Sequence, residues 1–150
     1  MSIRIAIKRD SEALSKLVIS LAHFYQEKPS EPLPKWIMDT LQPSSFESRI
    51  NHSGYLNLVY EESSEIKGYI SIKDTSHLYH LFVHEESHGK GIARQLWLRA
   101  RSHFPESHHY TLRSSLFAIP VYSKFGFYKT DSIAFKDGIG FQPMAFNANA

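Results

Sequence analysis

The residues with chemical potential in this chain gather where an apolar run meets glycine. Leu81-Phe82-Val83 leads through His84-Glu85-Glu86-Ser87 into His88-Gly89-Lys90-Gly91-Ile92-Ala93-Arg94. A strand that enters a glycine turn and continues as a helix makes a site for an anion. The first N–H groups of a helix have no internal partner, and the helix dipole is positive there. Glycine, lacking a Cβ, lets phosphate oxygens come close to the backbone. Lys90 either adds a point charge or faces water. Gly89 and Gly91 alone would also serve a plain tight turn. Two familiar phosphate loops do not fit. A dinucleotide fingerprint needs a third glycine where Arg94 stands, and G-x-x-x-x-G-K-[ST] is absent.

The same stretch carries a second pattern. His84-Glu85-Glu86-Ser87-His88 matches H-E-x-x-H, which sets two imidazoles one helical turn apart on a zinc ion with Glu as base. Gly89 and Gly91 disfavour a helix through the segment, and the longer form of that signature wants His where Arg94 stands. The expectation is no metal, with a zinc hydrolase through His84, Glu85 and His88 as the rival. The chain has no cysteine, so disulfides, thiolate zinc sites and cysteine nucleophiles are excluded. A net charge of +2 is too small to argue for nucleic acid, and Lys90, Arg94, Arg99 and Arg101 follow no nucleic-acid-binding motif; they read as a solvated helix face. No apolar run is long enough to span a bilayer, and Met1 to Asp10 lacks the apolar stretch of a signal peptide. The expected setting is cytoplasmic, with no membrane and no nucleic acid as partner.

The elements that must position these residues follow from hydrophobic periodicity. Ser2 to Lys8 alternates Ile3, Ile5 and Ile7 with Arg4, Ala6 and Lys8, as a half-buried strand does. Asp10 offers an N-cap. Leu14, Leu17, Val18, Leu21, Ala22 and Tyr25 then fall on one helical face. Leu33 to Leu41 and Ser45 to Ile50 read as short helices punctuated by Pro43. Tyr55 to Tyr60 and Ile66 to Ile72 form a hairpin around the polar turn Glu61 to Glu65. Leu78 to Val83 is a third strand. After the glycine turn, Ile92, Leu96, Ala100 and Phe104 are spaced by four, with Ala93 and Trp97 beside them, which predicts a helix. Tyr110 to Leu112 is a strand and Leu116 to Phe125 a helix despite Pro120. Phe127 to Phe135 and Ile139 to Phe146 are closing strands joined through Asp137-Gly138. At 150 residues the expectation is one domain over 1–150, and this element order argues for a mixed sheet with helices on both faces.

At this point the sequence resembles the GNAT superfamily of N-acetyltransferases. Val83 through Leu96 looks like motif A, [QR]-x-x-G-x-[GA], here His88-x-x-Gly91-x-Ala93, with His88 in place of Gln or Arg. Ser115-x-x-Ala118-x-x-x-Tyr122-x-x-x-Gly126-Phe127 resembles motif B, with Ser115 in place of Asn. Phe141-Gln142-Pro143-Met144 looks like the last strand of some members. The resemblance implies a mixed α/β fold of the α+β kind, with a mostly antiparallel central sheet flanked by helices on both faces. It implies acetyl-CoA as co-substrate, with the pyrophosphate on the amides of the turn. The cofactor-binding residues it points to are Leu81, Phe82, Val83, His88, Gly89, Lys90, Gly91, Ile92, Ala93, Arg94, Ser115, Ala118, Tyr122 and Phe125. The strand Leu78 to Val83 would splay from its neighbour and pair with pantetheine amides. The activity implied is direct transfer of an acetyl group to an amine. Tyr122 would be the general acid, since a phenol of pKa about 10 suits a leaving thiolate of pKa about 8.5. The backbone N–H of Phe82 would be the oxyanion donor. The base is not readable among His77, Tyr79, His80, His84 and Glu85. Nor is the acceptor: small amines, amino acids and protein N-termini or lysines stay open. The region that shapes it, Leu14 to His52, holds Phe24, Trp36 and Phe46 and acids such as Glu27, Glu31, Asp39 and Glu47. A homodimer through an edge strand or a helix would be unsurprising in this superfamily. The alternative from another class is a non-catalytic acyl-CoA-binding or interaction module, in which His77, His80, His84 and His88 form a pH-responsive patch.

Overall fold

The structure is a computed structural model that describes residues 2–24, 26 and 28–148. Tyr25, expected on the first helix face, and Glu27, one of the acids named above, lie outside the described residues.

Strand β1 (Ser2–Ile5) is shorter than its alternation suggests. Ile5 and Ile7 are 61% and 43% exposed, and Ile3 is the isoleucine of the three that packs on the core. The cause is Asp10. Its carboxylate accepts two hydrogen bonds from Arg4 at 2.8 and 3.0 Å and one from the Ile7 N–H at 2.8 Å. That grip turns the chain into a 3-10 turn over Lys8–Asp10 before helix α1 (Ser11–Ser20) begins. Asp10 therefore ties β1 to α1 and does not cap α1 with its side chain. Burial pushes its carboxyl up, but the Arg4 and Ile7 bonds prevail and hold it below the usual carboxylate range. Arg4 also pairs with Glu61 at 2.7 Å on the neighbouring strand.

Leu14, Leu17, Val18 and Leu21 are buried as their spacing predicts. Helices α2 (Lys35–Met38) and α3 (Pro43–Ile50) follow. Pro43 opens α3, where its missing N–H would be unsatisfied in any case. Strands β2 (Tyr55–Glu62) and β3 (Glu65–Lys73) join through Ser63-Ser64, both at positive φ, as a two-residue hairpin turn requires. Then come β4 (His77–Val83), α4 (Ile92–Ser102), β5 (His109–Ser114), α5 (Ile119–Lys124), β6 (Tyr128–Lys129), β7 (Ala134–Lys136) and β8 (Ile139–Asn147).

Two elements differ from the sequence reading. The helix expected from Leu116 starts at Ile119, because Pro120 fits only its first turn. The strand expected from Phe127 to Phe135 is two pieces. The Asp131 carboxylate accepts the Ser132 N–H at 2.8 Å, turning the chain locally, and the Gln142 side chain donates to the Asp131 carbonyl at 2.8 Å in place of a ladder bond. Asp137-Gly138, both at positive φ, closes β7 on β8 as expected.

The sheet runs β1-β2-β3-β4-β5-β8-β6, with β7 also on β8, and every pairing is antiparallel except β4 with β5. Helix α4 covers one face through Ile92, Leu96, Trp97 and Ala100, joined by Tyr122 of α5. Helices α1 and α3 cover the other through Leu14, Leu17, Val18 and Phe46. Gly68 of β3 lets α4 sit close: a Cβ there would lie 2.9 Å from Leu96 Cδ1 and 3.1 Å from Ile92 Cγ2.

Candidate active site

The parallel pair β4 and β5 touches at two rungs, His77 with Thr111 and Leu78 with Leu112. Beyond Leu78 the strands part. The pairing of β4 with β3 shifts between Ser71 and Ile72, which leaves Tyr79 as an extra residue on β4. A bulge bends and twists its strand, and this one sits where β4 leaves β5. It also resets the alternation, so Leu78, Leu81 and Val83 share the α4 face while His80 and Phe82 turn to the α1 and α3 face.

The phase of the ladder decides which amides of β4 are free. The His84 N–H donates to the Lys67 carbonyl at 2.7 Å. Hydrogen-bonded pairs alternate along an antiparallel ladder, so Phe82, opposite Tyr69, spends its N–H and C=O on β3. Leu81 directs both of its groups into the gap, and Val83 its N–H, the Val83 carbonyl being held by His88. The expected oxyanion donor, the Phe82 amide, thus points the wrong way, and the Leu81 amide on the open edge takes its place as candidate.

A cleft of about 440 Å³ fills the gap and runs to the glycine turn. Of the residues expected at a cofactor, Leu81, Phe82, Val83, His88, Gly89, Gly91, Ile92, Ala93, Arg94, Ser115, Ala118, Tyr122 and Phe125 line it. Lys90 does not: it is exposed beside the turn, on the reading that has it face water. Gly89 and Gly91 have φ of 78° and 77°, a conformation that favours glycine, and a Cβ on either would meet no atom within 4 Å. The space above the turn is open to a ligand, and Gly91 caps α4 in the left-handed region.

His88 departs from the family pattern with a visible role. Its Nε2 lies 2.8 Å from the Val83 carbonyl, so that nitrogen carries the proton and donates. The ring thereby fixes the turn to the end of β4. His84 Nδ1 accepts the Glu86 N–H, and Glu85–Ser87 is a single 3-10 turn. The H-E-x-x-H stretch therefore lacks the helix a zinc pair needs, and among the described residues no cluster of three His, Cys, Asp or Glu could hold a metal. Ser115 lines the cleft, and its Oγ accepts the Ala118 N–H at 3.3 Å just before α5, a bond that uses a lone pair and leaves the hydroxyl its own proton to donate.

Tyr122 is 7% exposed and packs against Phe125 and Phe127, with ring centroids 6.2 and 5.8 Å away. Burial pushes its phenol well above the ordinary tyrosine value. It stays protonated through the neutral range, but the shift moves it away from the leaving thiolate's pKa, so the closeness of the two values on which the general-acid expectation rested is lost. Sequence reading missed an aromatic wall: Phe24 stands 4.4 Å from Phe117 and 5.4 Å from His88, ring to ring, along the cleft. Phe117 is 50% exposed; neither residue belongs to a motif, and only the fold brings them together.

A sheet opened between two parallel strands, with strand amides leading to a glycine turn at a helix start, offers an extended anionic ligand both strand-like bonds and a helix N-terminus. The chain belongs to the GNAT acetyltransferase family: the family described as "Acetyltransferase (GNAT) domain" matches residues 5–148. Among solved structures, the chain is similar to the PaiA N-acetyltransferase of Thermoplasma acidophilum in complex with coenzyme A, at 23% identity, TM-score 0.78, over 97% of this chain and 98% of that one. It is similar to a ribosomal-protein-alanine N-acetyltransferase of Brucella melitensis, at 19% identity, TM-score 0.71, over 98% and 99%. A spermidine N-acetyltransferase chimera from Vibrio cholerae and hSSAT aligns at 18% identity, TM-score 0.67, over 99% and 97%. No curated protein matches the chain in sequence. No helix among the described residues is long and apolar enough to cross a membrane.

Proposed function

We propose that this chain, as a single domain over residues 1–150 working in the cytoplasm, moves an acetyl group from acetyl-CoA to a primary amine by direct transfer, without a metal. The observation that carries the reading is the open edge of β4. Leu81 presents its N–H and C=O, and Val83 its N–H, in a cleft that ends on Gly89 and Gly91. Amides of the turn from Gly89 to Arg94 would hold the pyrophosphate at the start of α4, where backbone donors and the dipole favour negative charge. Leu81 and Val83 would hold the pantetheine arm as a strand holds its neighbour. When bound, the coenzyme supplies an acetyl thioester. The Leu81 N–H then stabilises the charge that develops on the carbonyl oxygen. A bond forms from the amine nitrogen to the carbonyl carbon as the carbon–sulfur bond breaks. The amine gives up its proton to water, and Tyr122 gives its own to the departing sulfur.

The test is Gly91→Val. A side chain at φ 77° strains the turn and fills the space above it, yet nothing of the protein is displaced, so the variant should fold. Coenzyme A affinity measured by calorimetry should fall at least about tenfold. Undiminished affinity removes the site. Binding without coenzyme A release across a panel of amines would leave a binder in place of an enzyme.

A further inference from the structure

Three of the buried side-chain polar atoms without a hydrogen-bond partner fall in one place: Arg49 Nε, Ser71 Oγ and His80 Nδ1. Ser71 of β3 lies directly opposite His80 of β4. Tyr69, two residues before Ser71 on the same face, has its ring 6.0 Å from His80; its hydroxyl donates to Asn57 Oδ1 at 2.5 Å and its oxygen also faces Ser71 and Arg49 as a weaker polar neighbour. Arg49 reaches this spot from α3. It is 8% exposed, its guanidinium lies 4.7 Å from the Phe46 ring and 5.4 Å from the Tyr79 ring, and Nη2 donates to the Thr40 carbonyl at 2.8 Å. Among the described residues it has no ion pair. A buried guanidinium without an anion is costly, and ring faces, one carbonyl and the neutral Tyr69 hydroxyl return only part of that cost. A water molecule could serve the serine and the histidine, but it would leave the charge uncompensated. An anion serves all three.

The spot adjoins the cleft. His80 precedes Leu81, and its ring is 5.3 Å from that of Phe82, a residue of the cleft wall. Two further cations, Arg113 and Lys136, lie over aromatic rings, although the Trp36 ring under Lys136 also donates to the Asp137 carboxylate at 2.8 Å. Arg113, which alternates with the buried Tyr110 and Leu112, lies over Phe141 at 4.8 Å, and Lys136 lies over Trp36 at 4.5 Å; among the described residues neither is in an ion pair.

We infer that Arg49, Ser71 and His80 form a pocket for a small monoanion, and that its occupant is a carboxylate carried by the acceptor amine. Arg49 supplies the charge and Nε–H, Ser71 its hydroxyl, and His80 its Nδ1–H in the tautomer whose Nε2 is bare. The acceptor is then an amino acid or a peptide-like amine with a carboxylate near the reacting nitrogen. The identity of the occupant rests on the proposed transferase reading; the anion pocket itself does not.

Two measurements separate these claims. First, the melting temperature of the whole chain is followed against chloride and against formate, with ionic strength held by a bulky sulfonate. At ten times the dissociation constant, a bound anion should raise Tm by about 3–5 °C. Ser71→Ala, which deletes a hydroxyl whose one polar neighbour, Tyr69, keeps its bond to Asn57, should fold normally and weaken the anion response about tenfold. No response in the wild type to either ion overturns the pocket. Second, kcat/KM is compared for an amino acid and the matching amine without the carboxyl group. The carboxylated acceptor should be favoured at least about tenfold, chloride should compete with it, and Arg49→Lys should lose most of that preference with coenzyme A affinity unchanged. Equal kcat/KM for the pair, with the Tm response intact, gives the pocket to a free ion and overturns the acceptor carboxylate. If no amine is acetylated and coenzyme A does not bind, the transferase reading fails while the Tm result still stands.

Discussion

His80 makes the fold sensitive to acid. Its ring packs among Phe46, Tyr69, Tyr79 and Phe82, with centroids 4.4 to 6.0 Å away. Nδ1 is closed off without a partner, although the residue keeps a partly exposed edge. Burial, helped by the Arg49 charge, pulls its pKa down to about 3. In the unfolded chain it returns to about 6.5. Between these values the unfolded state binds a proton that the folded state refuses. Its stability contribution is therefore complete above pH 6.5 and lost as pH falls toward 3. From pH 7.5 to pH 5, the pKa of about 3 gives a loss of at most about 2 kcal/mol, an upper bound because the exposed edge admits solvent screening. For a chain of this size that is a fall of about 4–8 °C in Tm. Melting curves at both pH values, in sulfonate buffers free of halide and carboxylate, read it for wild type and for His80→Phe. The phenyl ring suits the aromatic surroundings and cannot titrate, so the variant should lose that share of the pH dependence. Identical pH dependence in both proteins would refute the reasoning and assign the acid loss to other groups.

Other perturbations have equally definite outcomes. Tyr122→Phe should lower kcat about 10²-fold while coenzyme A affinity changes less than about twofold, read by steady-state kinetics and calorimetry; full turnover would remove Tyr122 from the mechanism. Because burial raises its phenol, the wild-type kcat should show no alkaline fall from this group below about pH 10. Phe24→Ala opens the aromatic wall on Phe117 and His88 without touching the reacting atoms, so KM for acetyl-CoA should rise about 2–10-fold with kcat nearly constant. Gly68→Ala pushes a methyl toward Leu96 and Ile92; it should cost about 1–2 kcal/mol, visible as a lower Tm.

The fold was legible wherever periodicity was strong. Leu14, Leu17, Val18 and Leu21 on one helix face, and Ile92, Leu96 and Ala100 on another, announced which surfaces are buried, and the structure buries them. The ends of the chain read less well. Ile5 and Ile7 alternate correctly but lie where Asp10 pulls the backbone off the sheet, a tertiary interaction between residues that no period describes. Asp131 breaks the expected strand after Phe127 in the same way. At the site, glycine spacing located the turn because positive φ leaves a compositional trace. The amide that faces the gap did not show. That choice depends on the Tyr79 bulge and the ladder phase set by His84, and neither alters a side-chain pattern. The Arg49 cluster was hidden because its members come from α3, β3 and β4 and meet only across the sheet.

The parting of β4 from β5 has a mechanical meaning. Two rungs stitch the block β1 to β4 to the block β5, β8, β6, so the sheet is weakest at its middle, where most sheets are strongest. A molecule lying along that seam as an extra strand would splice the two blocks. Its arrival should then be felt far from the reacting carbon, as slower solvent exchange of amides on both sides of the join.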